Sequence, residues 1–171
     1  MKDVNSRLEI ILSAYNSHRK VVDYSAHIDQ VTKTQTNCQE CKRVSGEVMK
    51  MYADNELTNP LDAFHAAIIL HHGIENEYAV AANDLCKYAV ARLGDNHKDI
   101  RSARWLYAAS YDRMLVHDGK LQKFGTQFVK NKDGKFELAT PIDSATTDEE
   151  RAWYGIPAIE ETLKRLSESY S

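Results

Sequence analysis

The chain has 171 residues, 43% of them hydrophobic and 27% charged, with a net charge of -3 and a pI near 6.2. That length and balance fit one globular domain with a real core, and its scattered basic residues disfavour a nucleic-acid partner. No run approaches the roughly 20 apolar residues of a membrane span, and the start Met1-Lys2-Asp3-Val4 lacks a signal peptide's apolar stretch. A cytoplasmic protein without a membrane partner is the expectation.

The first amphipathic stretch runs from Val4 to His18, where Leu8, Ile11, Leu12 and Tyr15 recur at helical spacing. Val21 to Ile28 continues it or begins a second short helix. A further helix is predicted over Thr36 to Asp54, with Val44, Val48, Met51 and Tyr52 inward. Cys38-Gln39-Glu40-Cys41 at its start has the two-residue gap of redox and zinc sites. Three cysteines without a second such pair fit a reducing compartment better, so Cys38 and Cys41 are expected as reduced residues on a helix.

Pro60 breaks that run and opens the next, with Asn59 as N-cap and Asp62 in the first turn. This helix carries Phe64, Ala67, Ile68 and His71 and ends at Gly73. Another is predicted from Glu75 to Leu93, with Tyr78, Ala81, Ala82, Leu85, Ala89 and Val90 inward and Gly94 as its stop.

After the short polar connection Asp95 to Asp99 comes the helix expected to be central. Trp105, Ala108, Ala109, Asp112, Leu115 and Val116 share one face, and Ala103, Leu106, Tyr107, Ser110 and Met114 fill the adjoining one. Asp112 thus enters or borders the core, where a carboxylate needs a cation or several donors. Arg113 points about 100 degrees away and needs its own partner. Asp118-Gly119 ends the helix, and Gln122-Lys123-Phe124-Gly125-Thr126-Gln127 follows, dense in neutral donors and acceptors.

Beyond it the period changes to that of strands. Thr126 to Lys130 and Lys135 to Leu138 flank Asn131-Lys132-Asp133-Gly134, which predicts a hairpin needing support from the bundle. Thr147 and Glu150 have capping-box spacing for a short helix stopping at Gly155. Pro157 opens the last helix, with Ile159, Leu163 and Leu166 as its apolar face.

These elements predict one mainly α domain over 1–171: N-terminal helices in 1–53, a core in 54–157 and a last helix in 158–171. The architecture is an antiparallel bundle of five to seven helices with one β-hairpin. Helix pairs with alanine at close contacts also suggest tetratricopeptide-like hairpins, without a clean 34-residue repeat.

Candidate chemistry is sparse. His65 and His72 share a face two turns apart while His71 points away, a spacing unlike the one-turn gap of helical metal motifs, so no metal is expected. A hydrogen bond between His72 and Asp112 would make an acid–base pair. Ser110 has no nucleophile elbow, Cys86 lies on a buried face, and Gly119 and Gly125 stand alone rather than in a phosphate loop. Tyr107, Tyr111 and Trp105 read as core aromatics, and Lys130 to Lys135 as a solvated hairpin tip.

Ala66-Ala67-Ile68-Ile69-Leu70-His71-His72-Gly73, Trp105 to Ala109 with Asp112-Arg113, and Gln122 to Gln127 together resemble an uncharacterised bacterial family, a domain of unknown function. That family is marked by an alanine-rich segment ending in Gln-His-Gly, a downstream Asp-Arg and Gln-x-Tyr/Phe-Gly-Thr-Gln. This chain has His71 where the family has glutamine. The resemblance covers roughly Asp54 to Pro157 and implies a shared site but no reaction. By position it implies His72, Asp112, Arg113, Gln122, Gly125, Thr126 and Gln127.

Two functions follow as expectations. In one, a pocket binds a small polar or anionic molecule, with His72 as acid–base, oriented by Asp112, while Arg113, Gln122, Gly125, Thr126 and Gln127 hold the ligand. In the other, the chain is a tetratricopeptide-like module for a protein partner, and these residues lock the loop to its helix. No cofactor is specified by either.

Overall fold

The computed structural model describes residues 4–21, 39–73 and 75–168, with side chains of the first helix placed to residue 17. Seven helices and one two-stranded sheet lie among them: α1 (Ser6–Val21), α2 (Gln39–Ala53), α3 (Pro60–His71), α4 (Asn76–Leu93), α5 (Ile100–His117), β1 (Phe128–Lys130), β2 (Phe136–Leu138), α6 (Asp148–Trp153) and α7 (Ile159–Glu168). The fold is therefore mainly α with one hairpin. The continuation or second short helix expected over Val21 to Ile28 lies, beyond Val21, outside the described residues, as does Cys38.

Local signals place the boundaries. The Asn59 side chain accepts from the Leu61 N–H at 2.9 Å, so α3 starts where its cap and Pro60 require. Thr147 Oγ1 accepts from Glu150 N at 3.2 Å and starts α6 in the same way. Gly119 follows α5 at φ +69°, a left-handed conformation that turns the chain back toward the helix it has just left.

The hub is α3 rather than α5, which is a correction to the expectation of a central helix over 105–116. Asp62, Ala63, Phe64, Ala66, Ala67, Ile69, Leu70 and His71 are all buried, and α3 packs against α1, α2, α4 and α5. Its most extensive interface is with α4, which in turn packs on α5. The connections at 72–75 and 94–99 are short, so these three helices run antiparallel in succession. The main core joins Leu8, Ile11 and Tyr15 of α1, Val44, Val48 and Met51 of α2, and the alanine-rich faces of α3 and α4. A second, smaller core of Ala108, Phe124 and Ile156 lies where α5 meets the returning chain. Among the described residues no helix is long and apolar enough to cross a membrane.

Three side chains depart from the pattern reading. Trp105 is 44% exposed instead of being a core aromatic, because α5 turns its alanines and Asp112 inward and leaves the indole at the edge. On α7 the buried residue is Thr162, while Leu163 is 47% exposed. The reason is polar: Thr162 receives a buried arginine described below. Cys41 is disulfide-bonded, not the reduced thiol expected. Cysteine number speaks to compartment, whereas pairing is decided by the separation of Cα atoms.

The hairpin pairs Phe128 with Leu138, Val129 with Glu137 and Lys130 with Phe136, antiparallel. Asn131 closes it, its side chain accepting from the N–H groups of Asp133 and Lys135, both at 3.0 Å. α7 packs on β2, which gives this short sheet the support a lone hairpin lacks.

Candidate functional site

Asp112 is fully buried on the inner face of α5. After the turn at Gly119 the chain runs back past this helix, and its backbone N–H groups converge on the carboxylate. Oδ1 accepts from Lys123 N at 2.7 Å and Phe124 N at 2.9 Å; Oδ2 accepts from Thr126 N at 2.9 Å and Thr126 Oγ1 at 2.8 Å. Four donors answer the need for compensation without a salt bridge.

The amide side chains are used in the same way. Gln122, also fully buried, donates from Nε2 to Gln127 O at 3.0 Å and Thr140 O at 2.8 Å, and its Oε1 accepts from Gln127 N at 2.7 Å. Its backbone pairs with 141–143, fixing the segment after the hairpin against the loop. Gln127 donates from Nε2 to Ala109 O of α5 at 3.1 Å and to Thr126 Oγ1 at 3.2 Å. Gln122, Thr126 and Asp112 therefore spend their hydrogen bonds within the protein. The resulting loop is tied to α5 through Asp112 and the Ala109 carbonyl.

Gly125 is required by both conformation and space. Its φ is +71°, and a Cβ there would stand 2.2 Å from Ile142 Cδ1 and 3.1 Å from Arg151 Nη1. Gly125→Ala is expected to lose about 2–4 kcal/mol, measured by urea unfolding. Adding Ile142→Ala should recover only part of it, since the left-handed backbone remains strained. A loss below about 0.5 kcal/mol would mean that the loop relaxes freely.

The His72 half of the expected site lies elsewhere. His72 is the C-cap of α3, its ring 6.3 Å from that of Tyr15 and 5.5 Å from that of His71. Arg113 donates to the carbonyls of His71 and Gly73 at the same helix end. It covers acceptors that the last turn leaves unpaired and places a cation at the negative end of the helix dipole. Burial lowers its pKa. Thus Asp112 and Arg113, adjacent in sequence, serve different neighbours. The expected His72–Asp112 pair is corrected accordingly, because all the donors that hold the carboxylate come from 123–126.

Arg151 is a structural residue that the pattern did not reveal. Only 1% exposed, it donates from Nε to Pro157 O at 2.9 Å, from Nη1 to Phe124 O and from Nη2 to Thr162 Oγ1 at 3.0 Å. In sequence it follows Asp148, Glu149 and Glu150, and nothing in that acidic run marks it as buried. Its fork ties α6, α7 and the loop together.

Two hollows adjoin these elements. His72 lines a small one with Cys41, Ser45, Gly73 and Tyr78, about 20 Å³ in volume and sufficient for water alone. On the outer side of the loop lies a groove of about 250 Å³, bounded by Trp105, Gly125, Thr126, Phe128, Ile156 and Leu166. Its lining is mainly apolar. Of the expected site residues, Gly125 and Thr126 border it, whereas the expected acid–base pair His72 and Asp112 and the expected ligand residues Arg113, Gln122 and Gln127 do not. Cys86 is fully buried, and burial raises its thiol pKa, which makes it a poor nucleophile. Among the described residues no group of three or more His, Cys, Asp or Glu side chains is placed to hold a metal ion.

No family model matches the chain, and neither a curated protein nor a solved structure is found to be similar to it.

Proposed function

We propose that this chain is a non-catalytic binding protein that takes one aromatic or other apolar ring of a small molecule into the groove between α5, the 122–127 loop and α7. The observation that carries this reading is the half-exposed indole of Trp105 at the edge of a 250 Å³ apolar groove whose other wall is the locked loop. That volume lies just below the usual range for ligand sites and has room for a single ring system at most. A wall tied to its helix favours binding, because little conformational entropy is lost when the ligand enters. Acid–base catalysis is left out of the proposal, since Asp112 is fully engaged by the loop. The motifs that carry the family resemblance are proposed as a structural signature: Asp-Arg and Gln-x-Tyr/Phe-Gly-Thr-Gln form the lock itself. The disulfide at Cys41 favours an oxidising compartment over the cytoplasm.

Tryptophan emission tests the groove, with Trp153→Phe used as background so that Trp105 is the only reporter. Benzyl alcohol, benzoate and benzylamine are the probes. A saturable change with at least one of them, weakened by Leu166→Arg in a protein that stays folded, is the expected result. Linear changes with all three, or saturation that Leu166→Arg leaves untouched, would sink the proposal.

A further inference from the structure

Of the three cysteines in the chain, Cys86 is a free thiol in the core and Cys41 is disulfide-bonded. By count the partner of Cys41 is Cys38, which lies outside the described residues. The bond then closes Cys38-Gln39-Glu40-Cys41, the two-residue gap of redox pairs. A ring this short is a weak staple, because the stabilisation from a cross-link grows with the length of chain it closes. Support of the fold is therefore a poor reason for the bond, and exchange is a better one.

The described half of the pair has the surroundings of a leaving thiolate. α2 begins at Gln39, which puts Cys41 in its first turn, where backbone N–H groups lack helical partners and the dipole is positive. Glu40, between the two cysteines, is held by Arg43 in an ion pair of 2.6 Å. Cys41 is half-buried and lines the hollow of about 20 Å³ together with Lys42, Ser45, His72 and Glu75. Lys42 and Glu75 bring one charge of each sign to that lining. His72 brings an imidazole, and the space admits a water molecule, so a proton has a path to the sulfur.

We propose that the Cys38–Cys41 disulfide is redox-active and takes two electrons from thiols. A substrate thiolate attacks Cys38 Sγ; a new S–S bond forms, the Cys38–Cys41 bond breaks, and its electron pair leaves on Cys41 Sγ. The Cys41 thiolate then takes up a proton through the hollow at His72. A second substrate thiolate attacks the substrate sulfur of the mixed disulfide, and the electron pair leaves on Cys38 Sγ, which is protonated from solvent. Two thiols have become one disulfide, and their two protons and two electrons reside on Cys38 and Cys41. The chain is a reactant in this exchange and not a catalyst, so the groove at Trp105 stands apart from it.

The test incubates the full chain in glutathione buffers of graded thiol-to-disulfide ratio, quenches with acid, alkylates, and reads the peptide spanning 38–41 by mass spectrometry. The expected result is reversible reduction across the range of ratios, with the reduced chain keeping its helical circular dichroism. Cys41→Ser should accumulate a mixed disulfide of glutathione on Cys38. Lys42→Gln, at an exposed position, should slow reduction of the bond about threefold. A bond that stays oxidised in excess glutathione, as structural disulfides do, would overturn the proposal. Loss of helicity on reduction, or failure of the bond to re-form in oxidised glutathione, would overturn it equally. Reduction by a two-cysteine peptide as well as by glutathione supports the assignment and extends it to peptide thiols; reduction by glutathione alone supports it for small thiols. Trp105 emission plays no part in the measurement, so each proposal fails alone.

Discussion

Asp112→Ala is expected to lower the unfolding free energy by about 3–5 kcal/mol, a fall in Tm on the order of 10 °C. The large effect comes less from the carboxylate than from what its removal leaves behind. Lys123 N, Phe124 N, Thr126 N and Thr126 Oγ1 all point at its two oxygens. Alanine offers none of them an acceptor, and at a fully buried position water does not readily replace one. Asparagine does not rescue the site. It has the right shape, but its amide would present N–H groups to donors that need an acceptor, so Asp112→Asn should still lose about 2–3 kcal/mol. Amide hydrogen exchange locates the damage: protection at Lys123, Phe124 and Thr126 should fall while α3 and α4 retain theirs. If Asp112→Ala costs less than about 1 kcal/mol and these amides exchange as before, the carboxylate does not hold the loop.

The parts of this fold legible in the sequence are those decided within a turn or two of chain. Asn59 and Pro60 start α3, and Thr147 with Glu150 starts α6, because a cap bonds to backbone two or three residues away. Gly119 and Gly134 end elements through their own positive φ. The burial of Asp112 was legible from its place in an apolar stripe, as was its need for several donors. Which donors was not legible, since Lys123 and Thr126 reach it only after the turn at Gly119 sets the return path. Arg113 has the same difficulty over a longer distance, its acceptors lying 40 and 42 residues back. His72 was placed correctly at a helix end, but periodicity gives the direction of a side chain and not the neighbour in that direction. Thr162 and Leu163 show how a partner overrides pattern: a buried guanidinium draws the threonine inward and leaves the leucine outside.

That guanidinium is the second place where one substitution should have a large effect. Arg151→Ala is expected to cost about 3–5 kcal/mol, because it removes donors from three acceptors on three segments and opens a cavity where the side chain was fully buried. Lysine should recover less than half of this. Its single ammonium cannot reproduce a planar fork whose nitrogens face Pro157 O, Phe124 O and Thr162 Oγ1 separately. Thr162→Val tests whether the three contacts act as a unit. Alone it should lose about 1–2 kcal/mol, and in the Arg151→Ala background almost nothing, a coupling that a double-mutant cycle measures. Additive losses would mean that Thr162 is held by packing rather than by Arg151. The same fork positions Phe124 beside Gly125 and anchors Pro157 beside Ile156, and so reaches both walls of the proposed groove. A folded Arg151 variant should therefore bind the aromatic probes more weakly even though Arg151 touches none of them, because the groove depends on the spacing between α7 and the loop that this side chain maintains.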